Sequence, residues 1–116
     1  MTTNGNGTVR TSADLRAELA RLDEQYEHEL ERQAAAEKGI AAEALGQFRG
    51  DEGARKRLSG HKASLTTADM SIRILDLARA ALEHEIAFAV AVEADAERKR
   101  NAAEALPLKL REMGRA

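Results

Sequence analysis

The chain has 116 residues, with 18 basic and 20 acidic side chains, no cysteine, no tryptophan and one proline. Charges so nearly balanced create no net field of the kind that marks a nucleic-acid binder, and without cysteine there is no disulfide scaffold or thiolate metal site. Alanine supplies 24 residues while Leu, Ile, Val and Phe together supply 22, so large core side chains are scarce. The bias toward Ala, Glu, Lys, Leu and Arg is that of long helices, not of sandwiches or barrels.

Residues 1–10 are polar and glycine-bearing and predict a flexible tail. They lack the basic-then-apolar order of a signal peptide. The longest apolar run, residues 86–92, is too short for a membrane span, which needs about 20 residues. The expectation is a protein of the cytoplasm with no membrane partner.

Order begins at Thr11. Thr11 and Asp14 have the spacing of a helix N-terminus, where a hydroxyl accepts a free amide and an acid favours the positive end of the dipole. A helix is expected over about 12–47. Its apolar stripe reads Leu15, Leu19, Leu22, Tyr26, Leu30, Ala34, Ala41, Leu45 and Phe48, with Glu37 as the one polar member. The rest of this helix is acidic.

Gly46, Gly50 and Gly53 punctuate the pattern and place a turn at about 48–52. A second helix is expected over about 53–105, on the line Leu58, Leu65, Ala68, Ile72, Leu75, Leu82, Ile86 and Ala89, interrupted by His61, Arg79 and Glu93. Pro107 disfavours helix before it, leaving 107–116 as a tail. Ser59-Gly60 followed by Thr66-Thr67-Ala68-Asp69 offers an alternative three-helix arrangement with a break near 60–66. Folding at the glycine turn brings Leu30 to Ile72, Tyr26 to Leu75, Leu19 to Leu82 and Leu15 to Ile86, with Ala34 opposite Ala68. An all-α antiparallel helical hairpin follows.

The second helix carries a second apolar line: Ile74, Leu77, Ala78, Ala81, Phe88 and Val92. One partner helix cannot cover both lines. The expected solution is a homo-oligomer, a dimer of hairpins forming a four-helix bundle with Ile74, Leu77, Ala81, Phe88 and Val92 at its interface.

Chemistry finds little footing. Glu24 and His28 share a helical face, but the residues three before His28 and His84 are Gln25 and Ala81, so the Glu-x-x-His pairs of a two-metal bundle are missing. No nucleophile motif or phosphate loop can be drawn. No enzyme, cofactor or metal is expected. Arg49-Gly50-Asp51 spells an adhesion tripeptide, and at this position it is expected to serve as a glycine turn. Basic clusters at 49–62 and 98–115 make nucleic acid the alternative partner, through Arg55, Lys56, Arg57, Arg98, Lys99 and Arg100. No aromatic side chain is expected to accompany these clusters and stack bases, and solvated helix ends are the competing explanation.

A leucine-spaced acidic helix, the turn Gly50-Asp51-Glu52-Gly53-Ala54-Arg55 and a longer Ala/Leu/Glu/Arg helix resemble the small coiled-coil accessory proteins of phage and prophage gene sets. The resemblance spans about 12–105. It implies a structural or accessory role in an assembly, without catalysis, and assigns no functional residue.

Overall fold

The computed structural model describes the backbone of residues 10–113 and the side chains of residues 10–105. Two helices, α1 (Ser12–Phe48) and α2 (Ala54–Met113), form an all-α helical hairpin. The chain divides into two compact units: Ala17–Leu82 forms one, and the other joins the chain up to Arg16 with α2 from Glu83 onward.

Local chemistry sets each helix end. At the start of α1 the Thr11 hydroxyl accepts the Asp14 amide at 3.1 Å while the Asp14 carboxylate accepts the Thr11 amide at 3.1 Å. Two orphan donors are satisfied reciprocally, as a capping box requires. These bonds to Thr11 hold the Asp14 carboxyl below its ordinary pKa. Gly50 ends α1 with φ of 87°, a left-handed conformation that side chains with a Cβ resist. Around it the Asp51 amide donates to the Gly46 carbonyl at 2.9 Å and the Gly50 amide to the Gln47 carbonyl at 3.1 Å. That pair of bonds is a Schellman cap. Asp51 then turns the chain into α2, its carboxylate accepting the Gly53 amide at 3.0 Å.

α2 is unbroken across residues 59–67, so the three-helix alternative does not occur. Instead of capping a fresh helix, the Thr66 and Thr67 hydroxyls donate back to the carbonyls of Lys62 and Ala63, each at 3.0 Å. This bond four residues back lets threonine sit inside a helix. The helix also runs past Pro107 to Met113, where a tail had been expected. Proline locks φ near a helical value and removes one backbone donor, so it weakens a helix locally without obliging the chain to leave it. The expected tail residues 1–9 and 114–116 lie outside the described residues.

In the unit Ala17–Leu82 the α2 seam follows the expected line. Ala54, Ala68 and Leu82 are buried, and Leu58, His61, Leu65, Ile72, Leu75 and Arg79 are half-buried. These positions alternate steps of four and three, the 3.5-residue repeat of a coiled coil. The α1 side departs from its expected stripe after Tyr26. Half-buried or buried positions continue as Glu29, Gln33, Ala36, Ile40 and Glu43, while Leu30, Ala34, Ala41, Leu45 and Phe48 are exposed. The physical reason is the period. The expected stripe averaged more than 3.6 residues per turn and drifts around the helix, whereas a seam that keeps facing its partner must hold 3.5.

Polar groups therefore occupy the seam, and several meet an answering group across the hairpin. Three residues on from Leu30 and three back from Ile72, the Gln33 amide donates to Asp69 at 2.8 Å. Arg79 lies 3.1 Å from Asp23, and Arg57 bonds Glu43 at 2.9 Å. His61 fits because Gly39 has no side chain: a Cβ there would lie 2.5 Å from the imidazole Nδ1.

The other unit holds Leu15, which is fully buried, and half-buried Ile86, Ala89 and Val92. Here Glu93, which interrupts the apolar line, caps α1 from across the hairpin. Its carboxylate accepts the Ser12 hydroxyl at 2.6 Å and the Ser12 amide at 2.9 Å.

Candidate functional site

The outer face of α2 is built by the same repeat as the seam. In the unit Ala17–Leu82, Met70, Ile74, Leu77 and Ala81 follow one another at steps of four, three and four, all exposed. Ile74 is 57% and Leu77 68% exposed. Each lies two positions after a seam residue, roughly 200° around the helix at 3.6 residues per turn. Burying the seam therefore leaves this face in water. In the other unit Phe88 is half exposed, Val90 is exposed, and Val92 is already half-buried within its own hairpin. Of the five residues expected at an oligomer interface, Ile74, Leu77, Ala81 and Phe88 are thus exposed and Val92 is the exception.

Beside that face runs an open groove of about 540 Å³, lined among others by Arg21, Glu24, His28, Glu29 and Ile74. Glu24 and His28 border it and are exposed. No group of three potential metal ligands occurs among the described residues. Glu29 accepts Arg32 at 3.1 Å through one oxygen, while the other is buried and unbonded.

At the hairpin tip the adhesion tripeptide is occupied by structural work. Gly50 forms the cap of α1, and the Asp51 carboxylate binds the Gly53 amide and, at 2.6 Å, the Arg57 guanidinium. Arg57 spans Asp51 and Glu43, which raise its pKa, the Glu43 hydrogen bond most of all. Of the six bases expected to contact phosphates, Arg57 is thus committed to these two acids. Arg98 and Lys99 both pair with Asp95, at 3.3 and 3.1 Å. Arg55, Lys56 and Arg100 are exposed and form no ion pair among the described residues.

Folding at the glycine turn leaves Phe48 without a partner on α2, as the pairing register expects. Phe48 is 88% exposed, the most exposed of the large apolar side chains described. It sits immediately before Arg49 and the turn into Arg55 and Lys56. An aromatic face does accompany the basic cluster. The signal was present in the register, because Phe48 falls after the last seam position before the turn.

Compared with protein-family models, curated proteins and solved structures, the chain matches none. Among the described residues no helix is long and apolar enough to cross a membrane.

Proposed function

We propose that the protein is a non-enzymatic coiled-coil module of the cytoplasm that self-associates through the outer face of α2. This is the accessory or structural role that the resemblance to phage and prophage coiled-coil proteins implies. The observation that carries the reading is the exposed line Met70, Ile74, Leu77 and Ala81. Apolar side chains at four-three spacing are what a second helix needs in order to insert knobs into holes, and a clustered apolar face marks an interaction site.

The position of the line also shapes the dimer. In a square four-helix bundle each helix meets two neighbours on adjoining faces, whereas these two faces of α2 lie nearly opposite. Over this unit the pairing is back to back, with α2 against α2 and each α1 outside. Ala78, Ala80 and Ala81 allow the two backbones a close approach.

Light scattering during size exclusion tests the proposal. The wild-type chain is expected at twice its 12.6 kDa monomer mass, and Leu77→Glu at the monomer mass with unchanged helical circular dichroism. A wild-type chain that stays folded and monomeric at about 100 µM overturns it.

A further inference from the structure

The tip of the hairpin presents a combination that neither the seam nor the outer face of α2 uses. Phe48 is almost wholly exposed, and Leu45, one turn earlier, is partly so. Arg49, Arg55 and Lys56 are exposed, and none of them forms an ion pair among the described residues. The first turn of α2 contains no acid, although acids there would be favoured by the helix dipole and bases are disfavoured. Of the two acids in the turn, Asp51 is bound by Arg57 and Glu52 is exposed. The turn itself is held by the Schellman bonds at Gly46 and Gln47 and by Ala54 buried beside Gly46.

We propose that the hairpin tip docks single-stranded nucleic acid, with Phe48 stacking on a base and Arg49, Arg55 and Lys56 on the flanking phosphates. Charge complementarity selects a polyanion, because three cations beside the positive end of α2 repel a second copy of the same tip. The aromatic face selects the kind of polyanion. A flat π-surface held out in water matches an unstacked base, whereas a duplex keeps its bases stacked out of reach. An anionic bilayer is the weaker fit: Phe48 and the partly covered Leu45 are few apolar anchors, and Glu52 stands beside them.

Fluorescence anisotropy of labelled oligothymidylate titrated with the full-length protein tests this, over a salt series. Three phosphate contacts predict a slope of log affinity against log salt of about −2, from roughly −0.7 per contact on a single strand. Phe48→Ala should weaken binding by roughly 5- to 150-fold, the range of one lost stack. Phe48→Tyr should bind as wild type and Phe48→Leu should not. The double change Arg55→Ala with Lys56→Ala should flatten the slope by about 1.4. Circular dichroism checks that these surface variants stay folded. No single-strand binding at about 50 mM salt, equal binding by Phe48→Leu, or tighter binding to phosphatidylserine vesicles than to the oligonucleotide would each overturn the proposal.

Discussion

His61 crosses the hairpin seam over Gly39 so closely that a β-carbon at position 39 would lie 2.5 Å from its Nδ1 and 2.6 Å from its Cε1. An imidazole fits in the seam only because the facing position has no side chain. Gly→Ala inside a helix ordinarily stabilises by about 1 kcal/mol, but overpacking costs about 1–3 kcal/mol. Gly39→Ala should therefore lower stability by about 1 kcal/mol in urea unfolding. Adding His61→Ala should turn the same change favourable. A stabilised Gly39→Ala single variant would show that the imidazole swings aside freely.

The same substitution should act with opposite sign at two other glycines. Nothing lies within 4 Å of a β-carbon built at Gly60, which sits inside α2, so Gly60→Ala should stabilise by about 1 kcal/mol. Gly50 has φ of 87°, where an L-residue incurs roughly 1–2 kcal/mol. Gly50→Ala should destabilise by that amount, and thermal melts of the two variants should move to opposite sides of the wild type.

The bond between Ser12 and Glu93 predicts a pH dependence. The Ser12 hydroxyl, and after it the Ser12 amide, hold the Glu93 carboxyl below its ordinary pKa. A depressed carboxylate contributes stability that is fully present above the unfolded-state pKa and is lost as pH falls through the native one. The melting-temperature difference between wild type and Glu93→Gln should therefore be largest near neutral pH and close on acidification below the ordinary carboxylate range. Asp14 is depressed too, but it is common to both proteins and cancels in the difference. A gap that stays constant down to pH 2 would refute this origin.

Leu15 and Leu77 separate hairpin packing from self-association. Leu15 is fully buried, and Leu15→Ala should cost about 2–5 kcal/mol at any protein concentration. Leu77 is 68% exposed. On the proposed self-association, Leu77→Ala should leave unfolding nearly unchanged in dilute solution and lower stability only at high concentration, because a dimer's stability depends on concentration. Urea unfolding at two concentrations reads both effects.

Much of the hairpin is legible in the residues themselves. The capping pair Thr11 and Asp14, the turn glycines and the seam of α2 from Leu58 to Ala89 follow from local hydrogen-bonding chemistry and a strict 3.5-residue repeat, and each needs only near neighbours in the chain. The outer line Ile74, Leu77 and Ala81 is legible for the same reason, as the apolar remainder once one face is spent.

What the residues alone leave open is where unlike groups meet across the hairpin. Nothing local tells whether the α1 seam after Tyr26 continues through Leu30 and Ala34 or through Glu29, Gln33 and Ala36, since both lines are compatible with a helix. The pairing with α2 decides it: holding one face toward a partner enforces 3.5 residues per turn, buries Ala36 and brings Gln33 to Asp69. The interruptions His61, Arg79 and Glu93 gain their meaning in the same way, through Gly39, Asp23 and Ser12. Composition and periodicity determined that this chain is a helical hairpin with apolar surface to spare. Only the tertiary register, in which polar groups must find partners at hydrogen-bond distance, decided which residues lie inside.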